Sequence, residues 1–361
     1  MKILFLSKQR PQNRDLVKRP YGRFYYFPKL MADRGHEIHL LLLNYRQGPT
    51  ISLQRNGFHW VSESFFPTGG LSYLRLIIDR IQTFSPDWIA GLSDTYYGIL
   101  AQRLGKRFGI ACAIDAYDNY ESYIPWCRPL HRVWRSAIAA ADVVTAAGPH
   151  LADYMAQSRP NKPVAVVPMA PDPNIFTPRE REACRRDIGL PLDKKLVGYC
   201  GSLHRNRGVD NLFNAWNILH SNISDARMVI SGRRQRGVRI PSGARHLGYL
   251  SDERVPDLLN AVDVLVIPNR LSSFGEYSCP VKLYEAMQCR IPVVATRTPT
   301  TEWILNGRSD FLANPEDPLD LAAKISGALR LGHFDYGPIN TWDESARNFE
   351  KALLEKMDQN L

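Results

Sequence analysis

The sequence predicts an α/β protein made of two doubly wound domains joined by a proline-rich segment. Three observations lead there. Short aliphatic and β-branched runs alternate with amphipathic stretches from the first residue onward, which indicates parallel sheets covered on both faces by helices. The alternation stops at 168–180, "PMAPDPNIFTPRE", where four prolines forbid regular structure, and then restarts. With 361 residues, 44% of them apolar, the chain can fill two cores, whereas a single core stops growing well short of that length.

In the first half the strand candidates are "KILFLS", "EIHLLLLN", "FHWVSES", "WIAGL", "ACAIDAY", "VVTAA" and "VAVVPM", with amphipathic helices at 71–84 and 96–108. After the linker come "KLVGYCGS", a helix at 209–221, "RMVISG", "ARHLGYL", a helix at 251–262, "DVLVIPN", a helix at 280–289, "IPVVAT" and a helix near 317–331. The domains are therefore expected at 1–170 and 171–340. A last helix over 341–356 carries Trp342, Ala346, Phe349 and Leu353 at spacings of three to four, and the segment 341–361 is expected to join the first domain. In such sheets ligands sit beyond the carboxyl ends of the strands, so the cleft between the domains is the expected site.

The charge is lopsided. Residues 1–170 hold 21 Lys and Arg against 12 Asp and Glu, and the remainder holds 25 against 24. A basic half attracts an anionic partner such as a phosphorylated acceptor or an anionic lipid surface; the plainer reading is solubility. Nucleic acid is not expected, because no recognised binding motif accompanies the charge. The six cysteines show neither Cys-x-x-Cys nor metal-ligand spacing, as expected for reduced thiols in a cytosolic protein. "MKILFLSKQR" reads as a first strand rather than a signal peptide, and no run approaches the ~18 apolar residues of a membrane span. The expectation is a cytoplasmic protein that lies, at most, on the inner face of a membrane.

Four stretches carry chemistry. In "GYCGSLHRNRGVDNL" (198–212) a strand ends at Gly201, and His204, Arg205 and Arg207 precede Gly208 and a helix. Glycines admit close backbone approach, a helix start favours an anion, and guanidinium forks match phosphate oxygens. The alternative is a solvated basic turn. In "SSFGEYSCPVKLYEAMQCR" (272–290) Pro280 suits the first helical position, with Ser278 or Cys279 before it as cap. Lys282 in the first turn opposes the helix dipole unless an anion sits there. Glu285 lies among apolar residues, and a carboxylate suits the paired hydroxyls of a ribose. The alternative for Glu285 is an ion pair with Lys282, three residues away, worth ~0.3 kcal/mol in an isolated helix. "AIDAYDNYESY" (113–123) sets Asp115, Asp118 and Glu121 at intervals of three beyond a strand, where they orient or deprotonate an acceptor hydroxyl or merely serve as turn residues. The loop "SKQRPQNRDLVKRPYGRFYYFPKL" (7–30) interleaves Lys8, Arg10, Arg14, Lys18, Arg19 and Arg23 with aromatics, a pattern for an anionic acceptor, a membrane interface or a flexible charged loop.

In this order the pieces resemble the GT-B-fold glycosyltransferases, in particular the retaining enzymes of glycosyltransferase family 4, over essentially the whole chain. "MADRGHEI" is similar to the family's "RGHEV", "VPMAPDPNIFTP" to its interdomain segment, and "GSLHRNRG" to its phosphate loop. "HLGYLSDERVPDLLNAVDVLVIPN" and "YSCPVKLYEAMQCRIPVVAT" resemble its last two hallmarks. The resemblance implies two Rossmann-like domains facing each other across a cleft, and metal-independent, retaining transfer of a sugar from a nucleotide-sugar donor to a hydroxyl acceptor, whether a glycan, a lipid-linked or anionic molecule or a small-molecule glycoside. It implies no cofactor and no bound metal.

Carried over, the donor set is Gly201, Ser202, Arg205, Arg207, Gly232, Leu247, Tyr249, Glu276, Tyr277, Ser278, Cys279, Pro280, Val281, Lys282 and Glu285. Glu285 stands where the family binds the donor ribose, and Arg207 where it contacts the diphosphate. The implied acceptor set is Gly22, Arg23, Tyr117, Asp118 and Glu121, and the implied catalytic set Arg207, Lys282 and Asp118. The chain departs from the pattern at Tyr277, where the family has a first Glu, at Ser202, where it has Arg, and at Tyr117, where many members have His. The nearest match is the subgroup with "S.P.K..E". Two other readings stay open: an epimerase or hydrolase of nucleotide sugars on the same fold, and a catalytically degenerate binding protein.

Overall fold

A computed structural model describes residues 1–358, so the last positions of the 341–361 segment lie outside the described residues. The chain forms two compact units, Met1–Met169 with Asn340–Leu361, and Ala170–Ile339.

The first unit runs β1 (Lys2–Lys8), α1 (Arg23–Asp33), β2 (Glu37–Asn44), β3 (Ile51–Arg55), β4 (Phe58–Ser64), α2 (Leu71–Phe84), β5 (Trp88–Gly91), α3 (Thr95–Phe108), β6 (Ala111–Ala116), α4 (Arg128–Ala140), β7 (Val143–Ala146), α5 (Pro149–Ala156) and β8 (Ala165–Val166). Its eight strands are ordered β3-β4-β2-β1-β5-β6-β7-β8. All neighbours are parallel except β3 and β4. The buried strands are aliphatic on both faces, as in the wholly buried "WIAG" of β5. The outlier β3, "ISLQR", is a mostly exposed edge strand whose polar residues give no such pattern. α2 turns Tyr73, Ile77, Ile81 and Phe84 inward at helical spacing, onto a core that includes Leu4 and Leu41.

The second unit runs α6 (Arg181–Asp187), β9 (Lys195–Cys200), α7 (Val209–Asn222), β10 (Ala226–Ser231), β11 (Ala244–His246), α8 (Val255–Ala261), β12 (Val264–Ile267), α9 (Val281–Gln288), β13 (Val293–Thr296), α10 (Pro299–Ile304), β14 (Leu312–Ala313) and α11 (Pro318–Ala328). Its six strands, ordered β11-β10-β9-β12-β13-β14, are all parallel. The strand order reverses direction at β9, the topological switch point at which open α/β sheets bind ligands. The proline-rich stretch before α6 forms no helix or strand.

The last helix, α12 (Trp342–Asp358), belongs to the first unit. Trp342 stacks on Tyr26 at 5.2 Å and Phe349 on Phe27 at 5.1 Å, pairs worth ~0.5–1.5 kcal/mol each beyond their buried area. Arg34 to Asp343 (2.6 Å) and His36 to Glu350 (2.5 Å) fasten its outer side. Among the described residues no helix is long and apolar enough to cross a membrane.

Candidate functional site

In the second unit three loops meet beyond the ends of β9, β10 and β12, and glycines make the meeting possible. Gly208 has φ +72°, and a Cβ there would lie 1.6 Å from the carbonyl oxygen of Pro268, just past β12. Gly232 has φ +141°, and a Cβ would come within 1.8 Å of the Gly201 carbonyl oxygen. No side chain fits at either position. The Gly201 N–H donates to Ser231 at 2.9 Å and the Gly232 N–H to Gly248 at 2.8 Å, so backbone also ties the ends of β9, β10 and β11.

On this frame the β9–α7 loop makes one 3-10 turn, Arg205–Arg207, whose start is capped by the His204 ring accepting from the Asn206 N–H at 3.2 Å. Arg207 lies over the Phe274 ring at 4.4 Å, which brings the loop onto the segment leading into α9. Arg205 reaches the exposed Asp210 at 3.6 Å. Both arginines hold weak or solvated partners, which an anion can displace.

α9 starts at Val281, with Pro280 in the cap position and no side chain capping its N–H groups. Neither Ser278 nor Cys279 serves as the expected cap; both are buried, and Pro280 stands one position earlier than the first helical turn. Glu285 is 4% exposed and ion-pairs with Lys282, the partner three residues away that the sequence offered as the alternative. Only the Glu285 end is buried, since the Lys282 side chain is 21% exposed, so the ~3–5 kcal/mol lost on breaking a fully buried pair is an upper limit here. The Lys282 ammonium also lies 5.6 Å from the Phe176 ring of the linker. Thr300 anchors the loop by donating to the Glu276 carbonyl at 3.1 Å. Tyr277, where a Glu stands in the family, has its phenol pKa raised by partial burial and by the neighbouring Glu276. Behind the helix, Cys289 is buried against Asn260, and burial pushes its thiol up to about 12.

Past β11, the Leu247 N–H donates to Ile230 at 2.8 Å, and Tyr249 stands 59% exposed beneath Arg233 at 5.2 Å. Arg233 and Phe274 were absent from the expected set. The run "GRRQRG" directly after β10 signals the first; nothing in the sequence singles out the second, because its role depends on Arg207 lying above it.

The first unit treats its charged residues differently. Arg23 is wholly buried and forks onto Asp115 at 2.7 and 2.6 Å, with Thr145 donating to the same carboxylate at 2.5 Å. Its guanidinium is spent inside the fold, which corrects its expected place among acceptor contacts. Tyr117 is likewise a core residue, edge-on to both Phe24 and Tyr120 at 5.4 Å. Glu121 receives both Arg135 nitrogens at 2.8 and 2.5 Å and Tyr154 at 3.2 Å, so it pins α4 and α5 to the β6 loop. Asp118, 8% exposed, accepts from the Tyr123 hydroxyl at 2.6 Å. Gly22 takes φ +61° at the start of α1, and a methyl added there would meet only Phe24, so conformation rather than crowding selects glycine. The basic loop before α1 is also folded: Lys8 pairs with Asp94 at 3.1 Å, Arg10 with Asp15 at 2.6 Å, and Arg14 lies over Tyr21.

Two family models match the two halves of the chain: "Glycosyl transferase 4-like domain" over residues 28–170 and "Glycosyl transferases group 1" over 194–330. The chain belongs to the group 1 glycosyltransferases. Among curated members, the D-inositol 3-phosphate glycosyltransferase of Corynebacterium jeikeium is 28% identical over 221 residues, covering 53% of this chain and 52% of that protein. The chain thus spans about half the length of the first such relatives it matches. The N-acetyl-alpha-D-glucosaminyl L-malate synthase of Bacillus anthracis is 22% identical over 84% of this chain and 82% of its own. The fold is that of solved GT-B glycosyltransferases. Sucrose-phosphate synthase from Thermosynechococcus elongatus superposes with a TM-score of 0.73 at 13% identity over all of both chains. Anabaena HepE in complex with UDP-glucose superposes with a TM-score of 0.68 at 17% identity over 99% of each.

Among the described residues of this group 1 glycosyltransferase, no three His, Cys, Asp or Glu side chains are grouped as metal ligands.

Proposed function

We propose that the protein transfers a sugar, with retention of anomeric configuration, from a nucleoside-diphosphate sugar to an acceptor hydroxyl. The observation that carries this reading is the half-buried Lys282–Glu285 pair in the first turns of an uncapped helix beyond the β12 strand end. In the resting chain the two groups neutralise each other. A donor separates their tasks: Glu285 accepts from two ribose hydroxyls, and Lys282 turns to the diphosphate with Arg205 and Arg207. The exposed Tyr249 and the backbone at Leu247 receive the base. The presence of UDP-glucose on HepE supports this class of donor.

The chemistry then needs no protein nucleophile. The departing phosphate oxygen takes the acceptor proton on the same face of the sugar, and the cations stabilise the charge that develops on the diphosphate. Each such donor is worth ~3–4 kcal/mol in the transition state. On the acceptor side the reading keeps Asp118 and Gly22 and releases Arg23, Tyr117 and Glu121 to the fold. Because charge stabilisation is assigned to side chains, EDTA is expected to leave the rate unchanged.

The test is mass spectrometry of a nucleotide-sugar panel incubated with and without acceptor alcohols. Transfer that requires the acceptor, abolished in Glu285→Ala while the protein stays folded, supports the reading. Turnover of donor alone points instead to a hydrolase or epimerase, and full activity of Glu285→Ala removes Glu285 from the mechanism.

A further inference from the structure

We propose that α3 and α4 of the first unit form a docking surface for an anionic phospholipid bilayer, and that this surface presents the acceptor to Asp118. The second half rests on the glycosyltransferase reading; the first does not.

The charge distribution comes first. α3 supplies exposed Arg103, Lys106 and Arg107, and α4 supplies Arg128, Arg132 and Arg135, while neither helix contains an Asp or Glu. Arg135 is engaged by Glu121; Arg103, Arg128 and Arg132 form no ion pair among the described residues. The two helices pack side by side, and a groove between them is lined by Arg103 and Arg132 together with Ile99 and Val133. Two guanidiniums beside an apolar floor suit a phosphate headgroup whose chains leave into a membrane.

The apolar contribution is equally local. Trp126, just ahead of α4, is 80% exposed, the most exposed large hydrophobic residue among those described, and Tyr123 (41%), three residues earlier, and Val133 (36%) on α4 are exposed as well. An indole held in water beside a cationic helix is the arrangement of an interfacial anchor, with its ring at headgroup level. In the expected basic loop at residues 7–30, by contrast, Lys8, Arg10 and Arg23 are committed to Asp94, Asp15 and Asp115.

Tyr123 connects the surface to the site. Its ring is part of the exposed rim, and its hydroxyl donates to Asp118 at 2.6 Å. A headgroup seated against the exposed Tyr123 ring would therefore be one side chain away from the candidate acceptor carboxylate.

Co-sedimentation tests the surface, using vesicles of phosphatidylcholine alone and of equal parts phosphatidylcholine and phosphatidylglycerol. Binding is expected only to the anionic vesicles, and it should weaken as salt rises from ~0.1 to ~1 M and the screening length falls from about 10 to about 3 Å. Each arginine near an anionic surface contributes ~1 kcal/mol, so Arg132→Gln is expected to lower partitioning roughly five-fold and R103Q/R132Q by more than ten-fold. Trp126→Ser should lose the vesicle-induced blue shift of tryptophan emission. Arg239→Gln, an exposed change in the second unit, should bind like the unaltered chain. Equal retention on both vesicle types, or an R103Q/R132Q variant that binds as well as R239Q, overturns the proposal. Nucleotide binding followed on the same proteins separates the two readings: vesicle binding without nucleotide binding removes the donor assignment alone, and the reverse removes the surface alone.

Discussion

The two sheets end in loops built on opposite principles. Beyond β6, charged side chains are consumed by the fold: Arg23 reaches Asp115 across 92 positions of sequence, and Arg135 forks onto Glu121. Beyond β9, backbone contact at Gly208 and Gly232 provides the rigidity, while Arg205 and Arg207 rest on an exposed carboxylate and a ring face. A charge satisfied by two or three short hydrogen bonds is architecture. A charge parked on a replaceable partner is available to a ligand. The contrast teaches that counting charged residues near strand ends does not locate a site; the quality of their partners does.

The comparison can be broken by exchanging the kinds of damage. Asp115→Ala leaves Arg23 buried and uncompensated, so chemical denaturation should show a loss of ~3–5 kcal/mol. An unchanged midpoint would mean that the pair is not structural. Arg207→Ala is expected to lower kcat/KM by roughly 10²–10³-fold, corresponding to ~3–4 kcal/mol, while stability stays within ~0.5 kcal/mol. A variant that loses stability but keeps its rate would reverse the assignment. Gly208→Ala forces a methyl toward the Pro268 carbonyl and an unfavourable φ; it should destabilise by ~1–3 kcal/mol and impair donor binding together.

The smallest effect is acid sensitivity in the first unit. His39 is buried against Phe84 at 3.8 Å; burial first, then the neighbouring Arg80 and His59, depress its pKa to about 4. The unfolded chain takes up that proton near pH ~6.5, so this contribution to stability is complete above ~6.5 and declines as the pH falls toward 4. His39→Phe should flatten the stability profile in that window, and an unaltered slope would remove His39 as the cause.

Much of the fold is legible in the sequence because its signals are local. α2 is readable from Tyr73, Ile77, Ile81 and Phe84 at helical spacing, and β2 from its apolar run. β3 is not, since a half-exposed edge strand needs no two-faced apolar pattern. On the proposed donor side, glycines and arginines at fixed spacing mark the loop, and Glu285 stands out among apolar neighbours. Their partners do not: the Arg207–Phe274 contact joins loops far apart in sequence. The proposed acceptor side reads poorly for the same reason. Arg23, Tyr117 and Glu121 have the side chains of ligand contacts, and only tertiary structure shows that Asp115, Phe24 and Arg135 already occupy them.

The central claim is that Glu285 and Lys282 form the nucleotide-binding end of a donor site. Its most direct measurement is thermal unfolding with UDP, GDP, ADP, CMP and dTDP, applied to the unaltered chain and to Glu285→Ala. A ligand that binds only the folded state at a hundred times its Kd adds ~2.7 kcal/mol. The account predicts that at least one nucleotide raises the midpoint of the unaltered chain and that Glu285→Ala loses the rise. A rise of equal size in both proteins, or none with any nucleotide, would contradict it.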